Sequence, residues 1–205
     1  KDGAITTQIG GHSEMTLFDR EYASTLADWK IERVNGPDGK GIIATGSWLD
    51  IPVLQRWKLF FLNEEELIWE ITIESSEEAL PKSCQAVIIF QDGYRHWFTV
   101  NDKKAFSKAF LHGEDWQCEL VDNSFNAVVG LLGENVQNTV LPVVIFDRLR
   151  NNQQTRCHIG NTGSDVGGRV LNYTVFPRGI DSGNPLLKRT IFNSRIMLFD
   201  PSQTE

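Results

Sequence analysis

The sequence predicts an all-β protein, a two-sheet antiparallel β-sandwich carrying one short helix, and three observations predict it. Apolar residues recur with a period of two: in "ELIWEITIE", Leu67, Trp69, Ile71 and Ile73 alternate with Ile68, Glu70, Thr72 and Glu74, giving one apolar face and one mostly polar face. Segments of this kind are short and are separated by turn-forming residues at regular intervals, the cadence of sheets packed face to face. Helical periodicity, by contrast, is confined to a single stretch.

Taken in order, strands are expected at Ile5–Ile9, Glu14–Asp19, Trp29–Val34 and Gly41–Trp48, the last two separated by the turn Asn35-Gly-Pro-Asp-Gly39. "QRWKLFFL" alternates Trp57, Leu59 and Phe61 against Arg56, Lys58 and Phe60, and the acidic link Asn63-Glu64-Glu65-Glu66 joins it to "ELIWEITIE" as an antiparallel hairpin. Strands Ser83–Phe90 and His96–Val100 flank Asp92-Gly93, a dipeptide suited to a type I′ hairpin turn. The one helix is expected over Asp102–Leu111: Ala105, Phe106, Ala109 and Phe110 form a stripe, Asp102 can cap its start, and Gly113 follows its end. Further strands are expected at Trp116–Val121, Ala127–Leu132, Val140–Phe146, Arg156–Ile159, Val170–Phe176 and Ser194–Phe199. They are punctuated by Gly160-Asn-Thr-Gly-Ser-Asp-Val-Gly-Gly168 and Asp181-Ser-Gly-Asn-Pro185.

The 205 residues read as one domain, 1–205, with no repeat, low-complexity tract or linker. The opening "KDGAITTQ" reads as a processed start or as a domain excised from a longer polypeptide. A net charge of −7 argues against nucleic acid, whose phosphates demand clustered Lys and Arg. Apolar runs such as Val128–Leu132 and Val140–Phe146 are too short to span a bilayer, so a soluble protein is expected. Cys84, Cys118 and Cys157 lack metal-ligand spacing; buried free thiols are expected, which favours a reducing, cytoplasmic compartment.

Catalytic motifs are absent: there is no G-x-S-x-G elbow, P-loop, HExxH or dinucleotide fingerprint, and no cofactor or metal is assigned. "GNTGSDVGG" lacks the lysine of a phosphate loop and reads as a surface loop. Glu70 and Glu74 share a strand face, but at about 3.3 Å rise per residue their Cα atoms stand about 13 Å apart, too far for a retaining glycosidase pair; a solvated sheet face is expected. None of His12, His96, His112 and His158 has a triad partner nearby in sequence. Six tryptophans are more informative. Trp57 and Trp69 alternate with core residues and are expected to pack inward, whereas in "RHWFT" Trp97 alternates with Arg95 and Thr99 and is expected on a polar face. An aromatic plane beside planar polar side chains is what a sugar ring requires, so Trp97, Arg95, Tyr94, Asp92, Gln91 and His96 form the expected ligand surface.

The stretches "GSWLDIPVLQRWKLFFLNEEELIWEITIE" and "QAVIIFQDGYRHWFTV", paired strands rich in Trp and Phe with short acidic or Asp-Gly turns, resemble the large β-sandwich domains of carbohydrate-active proteins, including the mutarotase-like supersandwich and accessory carbohydrate-binding domains. The resemblance covers about half the chain by pattern. It implies a non-catalytic accessory domain binding an oligo- or polysaccharide, with other domains of the same polypeptide as partners. The alternatives are a mutarotase-like epimerase or lyase with His96 or His158 as base, and a structural interaction sandwich without a small ligand.

Overall fold

The computed structural model describes residues 7–36, 39–76, 79–100, 102–106, 118–120, 127–134, 140–146, 154–162, 166–176 and 186–200. Among them run fifteen strands: β1 (Thr7–Leu17), β2 (Arg20–Ala23), β3 (Asp28–Gly36), β4 (Gly39–Trp48), β5 (Ile51–Asn63), β6 (Glu66–Ser76), β7 (Ser83–Gln91), β8 (Tyr94–Phe98), β9 (Lys103–Ala105), β10 (Cys118–Leu120), β11 (Ala127–Gly133), β12 (Leu141–Phe146), β13 (Gln154–Asn161), β14 (Gly168–Phe176) and β15 (Leu186–Phe199). They form two antiparallel sheets, β10-β13-β14-β7-β1-β2 and β3-β4-β5-β6-β15-β12-β11-β8-β9. The two-sheet sandwich expected from the alternation is what the chain adopts. No described helix is long and apolar enough to cross a membrane.

The expected helix is corrected. Lys103–Ala105 is a strand paired with β8, and Phe106 is buried beyond it; residues 107–111 lie outside the described residues. The apolar stripe was real at Phe106, but pairing with the sheet edge offered by β8 overrides the helical propensity of Lys103, Lys104 and Ala105. The described helical structure is one 3₁₀ turn, Ser24–Leu26. The separate strands expected at Ile5–Ile9 and Glu14–Asp19 merge over residues 7–17 into β1, which bends at a bulge by Gly10, where φ is 90°.

The "FQDGYRHWFTV" hairpin is also corrected. β7 belongs to the six-stranded sheet and β8 to the nine-stranded one, so Asp92-Gly93 turns the corner between sheets. Neither residue has the positive φ of a type I′ turn; that geometry occurs at Phe18 and Asp19 (φ 50° and 60°), which join β1 to β2. The corner is held by Arg169, 1% exposed on β14. Its Nε donates to the Tyr94 carbonyl (2.8 Å), Nη2 to the Asp92 carbonyl (3.3 Å) and Nη1 to Asn161 Oδ1, while Phe106 lies 4.6 Å from the guanidinium.

The β5–β6 hairpin forms as its alternation requires, Asn63 pairing with Glu66 across Glu64-Glu65. Trp69, Ile71 and Ile73 are buried in the core, while on the opposite face Glu70 pairs with Lys58 (2.7 Å) and Glu74 with Lys188 (2.6 Å). The interior is threaded by an aromatic series, Trp29–Trp57–Trp69–Phe192–Phe146–Tyr173, with successive ring centroids 4.7 to 5.8 Å apart. Cys84 and Cys157 are both buried, and Cys84 is a free thiol.

Candidate functional site

At one end of the sandwich the sheets part around a cavity of about 400 Å³. Its walls come from both sheets: Trp57, Leu59 and Phe61 of β5, Leu67 and Trp69 of β6, Ile196 and Leu198 of β15, and Ile88 and Phe90 of β7. Two local features keep it open. Gly10 and Gly11 bring no side chain to it, and a Cβ at Gly11 would stand 2.7 Å from Trp69 Cη2. The alternation of β5 and β6 turns aromatic rings inward up to the last pair before the turn, so the hairpin delivers rings to the very end of the sandwich.

The turn itself is the acidic part of the lining, Glu64 to Glu66. It is fixed from two sides: Asn63 Oδ1 accepts from the Glu65 amide (2.8 Å), and the Leu198 amide donates to the Glu65 carbonyl (2.7 Å). Glu66 is committed to Arg195 by an ion pair of 2.9 Å. Within the cavity wall, the buried indole N–H of Trp69 has no hydrogen-bond partner, an exception to the usual satisfaction of buried donors. A volume of about 400 Å³ falls inside the range of about 300–1,000 Å³ of small-molecule pockets, and a lining of apolar and aromatic residues with a few polar groups is their usual chemistry.

The residues expected from sequence do not make one surface. Trp97 is 0% exposed and Tyr94 4%; both point into the core, Tyr94 Oη donating to the Val140 carbonyl (3.0 Å). Arg95 points outward to Glu134 (2.9 Å), His96 and Gln91 are half-buried, and Asp92 is exposed at the corner. The cause is a bulge: Gly133 pairs with Tyr94 and Leu132 with His96, leaving Arg95 as the extra residue. One inserted residue shifts the alternation, so Trp97 faces inward with Tyr94 and the expectation of an exposed Trp97 is overturned. Buried in this way, Trp97 offers no plane to a sugar in solvent.

Sequence reasoning also missed a pairing on the outer face of the six-stranded sheet. His12 Nε2 lies 3.2 Å from Glu14 Oε1; Gln85 Nε2 donates to Glu14 Oε2 (2.8 Å); Asn172 Nδ2 donates to Gln85 Oε1 (2.7 Å); and Thr174 Oγ1 donates to Asn172 Oδ1 (3.1 Å). The His12 hydrogen bond is the main reason the Glu14 carboxyl sits below its ordinary value; partial burial opposes it, and the charge of His12 and the Gln85 bond add to it. This polar row crosses β1, β7 and β14 and is half-buried throughout. Asn172 is thereby tied into the sheet. Of the other histidines, His158 pairs in register with Asn172, and His112 lies outside the described residues.

Fold and site together define a two-sheet β-sandwich with an aromatic-walled cavity at one end. No protein-family model matches the chain, and no curated protein matches its sequence.

Proposed function

We propose that this chain is a non-catalytic binding module that takes a small, largely apolar molecule into the cavity between its sheets. The observation that carries the reading is the convergence of Trp57, Phe61, Trp69 and Phe90 on one cavity, held open by Gly10-Gly11. At about 30 Å³ per water-sized group, the volume accommodates roughly a dozen methylene-sized groups. Burying ten methylenes at about 0.8 kcal/mol each gives about 8 kcal/mol before association costs, which sets about 1 μM as the tightest affinity to expect.

Decanol titrated into the full chain tests this reading through the intrinsic fluorescence of Trp57 and Trp69 and through thermal unfolding. At 100 times Kd a bound ligand adds about 2.7 kcal/mol, a rise in Tm of roughly 5–10 °C for a chain of this size. Filling the cavity with Leu59→Trp should remove both responses. No fluorescence change and no Tm rise up to the solubility of decanol would refute the reading.

A second reading, carbohydrate binding by an accessory domain of a larger polypeptide, is favoured by the polar row on the outer face. His12, Glu14, Gln85, Asn172 and Thr174 present imidazole, carboxylate, amide and hydroxyl groups across strands spaced about 4.8 Å apart, close to the length of one sugar ring. A glycan array with wild type and Gln85→Ala tests it; signals equal in the two proteins would remove this row as the binding surface.

A further inference from the structure

We propose that β3 is a dimerisation edge, along which a second copy of this chain continues the nine-stranded sheet. None of its residues lines the cavity. The two sheets end in β2, β10, β9 and β3. The first three are short, with four, three and three residues, whereas β3 runs for nine. Its pairing with β4 is unbroken from Asp28 to Gly36, it contains no proline, and its outer edge meets no other strand among the described residues. Such an edge presents the amide and carbonyl of every second residue to a further strand. The side chains are equally uncovered: Ile31 is 64% exposed, and Lys30, Glu32 and Arg33 are exposed with no ion pair among the described residues.

The sequence of this strand, "DWKIERVNG", fits itself. Two copies related by a two-fold axis normal to the sheet pair antiparallel and keep their faces, so residue order alone fixes which side chains meet. Centred on Ile31, the register sets Ile31 against its own copy, Lys30 against Glu32 and Trp29 against Arg33, the last two pairs each occurring twice. Lys30 and Glu32 share the outer face, where opposite charges directly across two strands attract. Ile31 and Arg33 share the face of Trp29, whose ring lies 5.1 Å from that of Trp57, and there the guanidinium of one copy meets the indole of the other. Neighbouring registers lose this match. Centring on Lys30, Glu32 or Arg33 opposes a charge to itself, and centring on Trp29 or Val34 keeps only residues 28–30 or 32–36 of the strand in register.

Sedimentation velocity over a concentration series tests this on the full chain. One edge strand is a small interface, so the wild type should dimerise with a Kd of about 10–100 μM. Lys30→Glu and Glu32→Lys each set like charges in both cross-strand pairs and should weaken the dimer about tenfold, with Tm unchanged because both positions are exposed. Mixed in equal amounts, the two variants should recover the wild-type affinity as a heterodimer, since each supplies the charge the other lacks. A wild type that stays monomeric, a dimer indifferent to both substitutions, or a mixture no tighter than either variant alone would overturn the proposal. If either variant fails to fold, cysteine cross-linking decides. Ile31→Cys, placed on the two-fold axis, should oxidise to a covalent dimer much faster than Arg33→Cys, and equal rates would overturn the proposal.

Discussion

Replacing Arg169 by methionine should cost this protein about 3 kcal/mol, and the figure follows from the corner where β7 leaves one sheet and β8 enters the other. Methionine keeps the apolar stem and removes the fork. The Tyr94 carbonyl, buried within the sandwich, then loses its donor at about 1–3 kcal/mol, and the half-buried Asn161 Oδ1 loses one at a smaller cost. The Asp92 carbonyl lies in an exposed residue and can turn to water, so it adds little. The contact with the Phe106 ring is lost too, but the cost of holding a desolvated guanidinium, which lowers the Arg169 pKa to about 10, is relieved. These opposing contributions leave about 3 kcal/mol, or roughly 6–12 °C in Tm.

Urea unfolding measures it: the midpoint should fall with an unchanged slope, since the loss is of bonds in the native state. Arg169→Lys discriminates further, because a point charge cannot serve Tyr94, Asp92 and Asn161 together and should recover only part of the loss. Hydrogen exchange at the Phe106 amide, which donates to the Arg95 carbonyl (2.8 Å) just beyond the corner, should quicken in both variants. A loss under 1 kcal/mol for the methionine variant, or a lysine variant as stable as wild type, would refute the claim that the fork holds the corner.

Other outcomes follow from equally local geometry. Gly41→Ala puts a Cβ 2.2 Å from the Leu59 carbonyl, a backbone atom inside the β4–β5 ladder, and should cost more than 3 kcal/mol; Gly130→Ala meets the far end of the half-buried Phe98 ring and should cost about 1–3, so equal losses in urea would contradict the distinction. Trp97→Ala should lose about 3–5 kcal/mol, whereas Trp97→Phe, which removes a buried N–H without a partner, should lose much less. Burial raises Cys84 from 9.0 to about 12 and Tyr94 and Tyr173 from 10.0 to about 12, so the folded state keeps protons that the unfolded chain releases. Stability is therefore full below about pH 9 and falls as pH climbs towards 12; Cys84→Ala should move the onset to about pH 10, as read by urea midpoints against pH. Gly11→Ala should drive the Trp69 ring from its seat between Trp57 and Phe192, lowering both decanol affinity and stability, and unchanged affinity would count against the role of that glycine.

What the sequence revealed and what it hid divide along a physical line. Alternation is a local property, so the faces of β5 and β6 could be read directly: the same rule that placed Glu70 and Glu74 in solvent placed Trp69 in the core. A bulge cancels that rule without announcing itself. At Arg95 one unpaired residue reverses the row to which Trp97 belongs, and nothing in "YRHWF" distinguishes the bulged register from the regular one. Asp92-Gly93 misled for a related reason, because a turn signal reports that the chain reverses and not which sheet receives it. The cavity was beyond local reading altogether, since its walls come from six strands brought together by long-range pairing, although Gly10-Gly11 inside a strand pattern was a usable sign of a bulge and a close approach. The same glycines tie the bulge in β1 to the cavity. A glycine pair that weakens β1 as a strand is tolerable only where the missing side chains leave room for something else, and here the room is taken on one side by the Trp69 ring and left open on the other as the cavity.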